Sequence, residues 1–339
     1  MNKKDSSVLN LKNLVSNKKI LPLYSNFKAQ LNILVKKNTF LVAVSGGPDS
    51  LALSALCKAY SEEKKNRVHY VLVDHGLRAN STKEALAVKS LFKKKRLSLI
   101  ILKNKKKINK NTQSQARIIR YQLLLNYCDE HKIKFILTGH HRDDQIETFL
   151  IRLSRGSGIQ GLSSMNKITK LNHRIKLFRP LLSENKQDLT FLAKKYFGKI
   201  FYDPSNSNQK YLRTNMRVLI KQFEKNGIKR DRIINSINNL AATRDTLDSY
   251  IQGIEKKCLI KKKYTILVNL KFFLIENNDI QLKILSNSIK YVSNSYYPPR
   301  AKKVLNLISR VKVKKEMKDT LGGCIINKRQ NTLIISKEK

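Results

Sequence analysis

Residues Phe40 to Leu53 read FLVAVSGGPDSLAL. The run Phe40–Val44 has the length and apolar composition of a buried strand, and Ser45, Gly46, Gly47, Pro48, Asp49 and Ser50 follow at once as a turn of small residues before a helical pattern begins. Strand, glycine-rich turn and helix N-terminus together make an anion site. Two residues without side chains let backbone N–H groups come close, and the helix dipole favours negative charge. The expected guest is a phosphate chain. No Lys followed by Ser or Thr stands where a Walker loop needs its cation, so the turn is of another kind. An ordinary strand-to-helix turn is the alternative that these residues alone leave open.

Working outward, Val68–Val73 is a second strand of buried type, ending in Asp74, His75, Gly76, Leu77 and Arg78. Leu97–Leu102 gives a third and Phe135–Thr138 a fourth, with helical patterns at Glu84–Lys94 and Gln115–Glu130 between them. Strands alternating with helices imply an α/β fold, a parallel sheet covered by helices on both faces. Ligands of such sheets bind beyond the carboxyl ends of the strands, and here those ends carry SGGPDS, DHGLR and TGHHRDD. The three are expected to converge on one crevice.

Thr138 to Thr148, TGHHRDDQIET, places Asp144 and Glu147 three apart, and Asp143 and Glu147 four apart. A helix starting near His141 would gather these carboxylates in its first turns. Three readings stay open: stabilisation of the helix end, a dinuclear metal site from His140, His141 and Asp144, or a pocket for a cationic substrate or Mg2+. Arg117 and Arg120, followed by Tyr121, share a helical face and are either surface arginines or bidentate phosphate ligands. The run Lys103–Asn111, KNKKKINKN, is too polar to pack and reads as a solvated loop or an RNA phosphate contact.

The chain has 339 residues and is 41% apolar, enough for a full α/β domain and a smaller one. Sixty-nine Lys and Arg against 24 Asp and Glu leave a formal charge of +45. A polyanionic partner accounts for that total better than lysines that are only solvated surface. Four widely spaced cysteines, Cys57, Cys128, Cys258 and Cys324, never form a C-x-x-C pair. They argue against a disulfide framework, a zinc ribbon or an iron–sulfur site and suit a reducing cytoplasm. No apolar run approaches membrane-spanning length, so no membrane association is expected. Residues 1–37 read as a basic extension without a secretory signal, and an organelle transit peptide stays open.

Past Arg217 the pattern changes. Ile233, Ile237, Leu240, Leu247, Ile251 and Ile254 fall on one face of a long amphipathic helix that Arg244 interrupts. A strand at Thr265–Leu270, helices near Ile280–Val292 and Arg300–Val311, and a terminal hairpin over Gly323–Ser336 follow. This half is expected to be a smaller, mainly α domain ending in a β-hairpin. It holds no catalytic-looking constellation.

SGGPDS resembles the pyrophosphate loop of the ATP pyrophosphatases, which split ATP into AMP and pyrophosphate. DHGLR, the R-x-x-R-Y of Arg117 to Tyr121, TGHHRDDQIET, LIRLSRGSGIQGLSSM, RPLL at Arg179–Leu182, and YDPSN with LRTNMR then resemble the tRNA(Ile)-lysidine synthetase family in the same order. The likeness covers about Phe40 to Arg217, and TLGGC at Thr320–Cys324 extends it. Any one motif is weak, but the ordered series is specific.

The resemblance implies a PP-loop ATPase domain, Rossmann-like, over residues 38–217, and a tRNA-binding region over 218–339, shorter than in longer family members. It implies a cytoplasmic ligase that uses ATP and Mg2+ to join L-lysine to C2 of the cytidine at the first anticodon position. The substrate would be a tRNA(Ile) with a CAU anticodon, and the route an adenylated cytidine; a homodimer is compatible with it. Carried over by position, Ser45, Gly46, Gly47, Pro48, Asp49 and Ser50 would hold the ATP phosphates, with Asp49 near Mg2+. Asp144 and Glu147 would receive the lysine, Arg117 would orient that pocket, and Arg213 and Arg217 would handle tRNA or ATP. Arg152, Arg155, Gly156, Ser157, Gly158 and Gly161 form a loop able to approach a backbone, whereas Asp203, Pro204, Ser205 and Asn206 make a turn by composition alone. The rivals are a cytidine thiolase, a metabolic amidating or NAD-forming ligase, and a non-catalytic RNA-binding module.

Overall fold

The computed structural model describes residues 13, 16–76, 80–104, 112–201, 212–295 and 298–338. The chain divides into two compact units, Met1–Asn239 and Leu240–Lys339.

The first unit runs α1 (Leu21–Leu34), β1 (Phe40–Val44), α2 (Pro48–Lys64), β2 (Val68–Asp74), α3 (Ser81–Lys94), β3 (Leu99–Lys103), α4 (Thr112–Glu130) and β4 (Phe135–Leu137). It continues through α5 (Arg142–Leu153), α6 (Ile159–Leu162), β5 (Ile168–Lys170), β6 (Lys176–Phe178), α7 (Lys186–Phe197), α8 (Leu212–Lys225) and the start of α9 (Arg230–Cys258). The strands order as β3-β2-β1-β4-β6-β5. All neighbours pair in parallel except β5 with β6, so the sheet is mixed at one edge.

β1 is apolar throughout because it is buried on both faces. Phe40, Val42 and Val44 join the cluster under α1, α2, α3 and α7, while Leu41 meets Tyr121, Leu124 and Cys128 of α4 on the other side. From β1 the chain moves outward to β2 and β3, then returns to place β4 on the opposite flank of β1. That reversal puts a crevice at the carboxyl ends of β1 and β4.

The basic stretch set apart as 1–37 contains α1, with Ile20, Leu23, Phe27, Leu31 and Val35 buried in the main cluster. Its apolar steps of three and four are a core-facing stripe that the surrounding lysines obscure in the sequence, and a boundary at Lys37 does not separate this helix from the sheet it covers. At the other end, Ile220 of α8 and Ile233 and Ile237 of α9 pack with Ile146 and Leu150 of α5. The compact unit therefore runs on past Arg217.

The second unit takes the later turns of α9, then β7 (Leu259–Lys261), β8 (Thr265–Asn269), α10 (Leu270–Phe273), α11 (Asn278–Ser293), α12 (Ala301–Val313), β9 (Met317–Leu321), β10 (Cys324–Arg329) and β11 (Thr332–Lys337). The expected hairpin is β10–β11, closing at Arg329↔Thr332, and three further strands extend it into an antiparallel sheet ordered β7-β8-β11-β10-β9. Val304, Leu307, Ile308 and Val311 of α12 and Ile284, Leu285 and Ile289 of α11 cover it. No helix among the described residues is long and apolar enough to cross a membrane.

Candidate active site

Gly47 is the N-cap of α2, Pro48 opens the helix with the φ it needs, and Asp49 lies in the first turn. Gly46 has φ +83°, and a Cβ there would stand 2.7 Å from Val88 Cγ2. Only glycine meets both demands. The Ser50 hydroxyl accepts from the Ser45 N–H at 3.1 Å and donates to the Gly47 carbonyl at 3.0 Å, which fixes the turn from within. Asp49 Oδ1 is buried with no hydrogen-bond partner. Such an oxygen is costly unless a ligand completes it.

Beyond β4, Gly139 meets this loop backbone to backbone. A Cβ on Gly139 would lie 2.8 Å from the carbonyl carbon and oxygen of Asp49 and 3.1 Å from Ser50 N. His141 follows as N-cap of α5: its Nδ1 accepts from the Asp143 N–H at 3.2 Å, and Asp144 Oδ2 accepts from the His141 N–H at 3.0 Å. This capping box uses His and Asp where Ser and Glu are usual. His141 is 3% exposed, with Nε2 3.6 Å from Asp49 Oδ2 and 3.7 Å from Asp144 Oδ2. Burial alone would lower its pKa, but the Asp49, Asp144 and Asp143 carboxylates outweigh that and raise it.

One turn on, Glu147 is 2% exposed and accepts from Arg217 Nε at 2.6 Å, while its Oε2 is buried without a partner. Burial pushes the Glu147 carboxyl up, and Arg217 pulls part of that back. For Asp144, burial works against ionisation, yet His141, His140, the His141 backbone N–H and Arg213 together hold it below the usual range. Asp143 has a different task, an ion pair with Arg230 at 2.7 Å, and Arg142 pairs with Asp231.

His140 bonds Thr138 Oγ1 through Nδ1 at 2.9 Å. Burial, opposed by Asp144 and aided by Arg179, Arg117 and Arg213, pushes it down to about 3, so it is neutral. Those three arginines thus lie within electrostatic reach of one imidazole, which places Arg117 and Arg213 beside the crevice. Arg117 also stacks over Tyr121, 5.0 Å from the ring centroid, and Arg213 is exposed on α8 one turn before Arg217. At the end of β2, Asp74 holds Gly76 N and the Thr82 hydroxyl at 3.1 and 2.7 Å, and His75 Nε2 accepts from Arg120 Nε at 3.2 Å. Leu77 and Arg78 of DHGLR, residues 105–111 of the lysine run, and Asp203, Pro204, Ser205 and Asn206 lie outside the described residues.

The loop of Arg152 to Gly161 is tied to α5. Arg152 donates to the carbonyls of Gly161 and Ser164 at 2.7 and 2.8 Å, and Gln145 brackets the Met165 backbone. Among the described residues no three His, Cys, Asp or Glu side chains are grouped to hold a metal, so the dinuclear alternative finds no support. A single carboxylate oxygen such as Asp49 Oδ1 instead suits Mg2+, which is commonly held by one or two carboxylates together with phosphates and water. The sequence alone gives no separate role to Gly139, to the cap made by His141, or to Arg179 of RPLL, which is buried and braces Asn166 and Thr169. A glycine between a strand end and an acidic helix start was the available signal for the first.

Sheet order, switch-point crevice and glycine-rich loop define a PP-loop nucleotide-binding protein, and the PP-loop domain family matches residues 14–223. Use of ATP follows from that domain. The fold is shared with U34-tRNA thiolase NcsA from Methanococcus maripaludis, at a TM-score of 0.57 and 21% identity over 66% of this chain and 79% of that one. Among curated relatives, the chain is 36% identical over 306 residues to the tRNA(Ile)-lysidine synthase of Wolbachia pipientis wMel, covering 89% of this chain and 71% of the relative. It is 37% identical over 308 residues to that of Orientia tsutsugamushi (strain Boryong), covering 88% and 69%. The chain belongs to the tRNA(Ile)-lysidine synthase family, whose members are ligases.

Proposed function

We propose that this chain joins L-lysine to C2 of the cytidine at the first anticodon position of a tRNA(Ile) with a CAU anticodon. The observation that carries the reading is the pair of buried carboxylate oxygens without partners, Asp49 Oδ1 and Glu147 Oε2, beside Asp144. They suit two cationic guests, the magnesium of a nucleotide and the ammonium of lysine.

The phosphate chain of ATP would lie on the turn of Ser45, Gly46, Gly47, Pro48 and Ser50, with Asp49 holding Mg2+. The ion, when bound, offsets the charge of the phosphates. The cytosine O2 attacks the α-phosphorus and pyrophosphate leaves, giving an adenylated cytidine. O2 is a poor leaving group until it carries AMP. The lysine ε-amine then attacks C2, and AMP departs with that oxygen. Asp144 and Glu147 attract the ammonium, but attack requires the neutral amine and a proton acceptor, for which the upshifted Glu147 carboxyl is suited. Arg117, Arg213 and Arg217 orient the acidic pocket and meet the RNA or nucleotide phosphates. Exposed Lys256, Lys257, Lys262 and Lys263 make the second unit a tRNA-backbone contact.

The thiolase reading fares worse. All four cysteines are free and buried, and burial pushes Cys128 up to about 12 and Cys258 to about 11, far from the thiolate that sulfur transfer needs. The test is nucleoside analysis of the tRNA after incubation with ATP, Mg2+ and lysine. Lysidine at the first anticodon position is expected; unchanged cytidine at full ATP and lysine would overturn the reading, and 2-thiocytidine formed with a sulfur donor would favour the rival.

A further inference from the structure

His141 has two nitrogens with different neighbours. Nδ1 accepts the Asp143 N–H at 3.2 Å, so its lone pair is occupied by the helix cap and the ring proton sits on Nε2. That Nε2–H stands almost equally far from two carboxylates in the first turns of different helices, Asp49 Oδ2 of α2 at 3.6 Å and Asp144 Oδ2 of α5 at 3.7 Å. Both distances exceed a formed hydrogen bond, as is common in sites whose ligand contacts tighten on binding. The ring itself is only 3% exposed, so the donor is held among protein groups. With Oδ2 turned to the imidazole, Asp49 has Oδ1 left over for a ligand. The backbones on either side are already in contact at Gly139, so little slack separates the loop from α5.

We infer that His141 is a positioning residue whose single Nε2–H is shared between Asp49 and Asp144, tying the orientation of the phosphate-loop carboxylate to that of the acidic pocket. Like charges so close repel, and one donor between them fixes both. This rests on the proposed assignment of Asp49 to nucleotide and Asp144 to lysine.

Two substitutions separate the donor from the cap. His141→Asn keeps an oxygen where Nδ1 stands, and Asn is among the best N-caps, but it cannot reach either carboxylate. His141→Gln places an amide nitrogen near the position of Nε2 and gives up the cap. Melting temperature, the ATP dependence of pyrophosphate release and the lysine dependence of lysidine formation are measured on the full chain. Asn is expected to melt close to the parent while the half-saturating concentrations of ATP and of lysine both rise, by about tenfold. Gln is expected to melt lower and to recover both concentrations to within about threefold. Parental values for both substrates in His141→Asn, or a change in only one of them, would overturn the shared-donor role. Asp49→Asn and Asp144→Asn test the underlying assignment separately, since they should shift ATP and lysine dependence respectively whatever His141 does.

Discussion

The crevice of the first unit and the core of the second treat buried polar groups in opposite ways. In the second unit, Lys328 Nζ donates to the carbonyls of Val311 and Lys314 at 2.7 and 2.6 Å, closing the end of α12. Gln281 Nε2 donates to the carbonyls of Phe273, Leu274 and Glu276 at 3.2, 3.2 and 2.7 Å. These side chains complete a backbone. In the crevice, Asp49 and Glu147 each keep an oxygen with no partner. Gln281 Oε1 and Ser288 Oγ are also unpartnered, but a neutral atom left over costs less than an ionised one. The contrast suggests that the second core is finished as a scaffold, whereas the crevice is finished only by what binds there.

The largest expected break in that contrast is Asp49→Ala, which should abolish pyrophosphate release while leaving tRNA affinity nearly intact. Affinity for a polyanion is spread over many basic residues, whereas the loop has one carboxylate. Pyrophosphate release at the parental rate, measured beside a filter-binding titration of tRNA, would remove Asp49 from the nucleotide site.

Gly139→Ala comes next. The added methyl carbon would sit 2.8 Å from the Asp49 carbonyl, and neither partner there is a flexible side-chain end. One of the two strand ends must move, at a cost of about 1–3 kcal/mol in stability. Because the moving part carries the phosphate loop, turnover should fall by about a hundredfold, as small displacements of reacting groups do. A variant that melts lower yet turns over normally would show that the loop tolerates the shift.

The fold was legible where burial on two faces leaves an uninterrupted apolar run, as in Phe40–Val44, and where helical spacing is long, as in α9. It was least legible in α1, a short apolar stripe set between the lysine pairs Lys18–Lys19 and Lys36–Lys37, and in three-residue strands such as β5 and β6, which carry too little pattern to register. Within the site, the gathering of carboxylates on one helix followed from their spacing. Their division of labour did not, because Asp143 turns to Arg230 and Glu147 to Arg217, on helices distant in sequence. Nor could spacing show that His141 caps the helix while facing Asp49, since that depends on the parallel pairing of β1 with β4.

Asp144→Asn sharpens the comparison inside the crevice itself. It removes a charge with little change of shape and should raise the lysine concentration needed by about one to two decades, the equivalent of a charge-assisted hydrogen bond of about 1.5–3 kcal/mol. Adenylation of the tRNA should persist. Following adenylated tRNA and lysidine separately across a lysine titration decides the matter: loss of adenylation at every lysine concentration would move Asp144 to the nucleotide half of the site, and an unchanged lysine dependence would leave it only its bond to the His141 N–H.

The smallest effect tests the other side of the contrast. Lys328→Met keeps the length and apolar stem of the side chain but leaves the carbonyls of Val311 and Lys314 without their shared donor. A buried acceptor left unpaired costs about 1–3 kcal/mol, which for a unit of this size corresponds to a fall of several degrees in melting temperature, about 4–8 °C per kcal/mol. Since these bonds of Lys328 close a helix end within its own unit, pyrophosphate release at 25 °C with saturating tRNA should match the parent. Calorimetry of the full chain and a pyrophosphate assay below the transition make the two halves of the expectation independent. An unchanged transition would mean that the end of α12 is satisfied without Lys328, and slowed pyrophosphate release below the transition would mean that the second unit does more for the chemistry than hold its own shape.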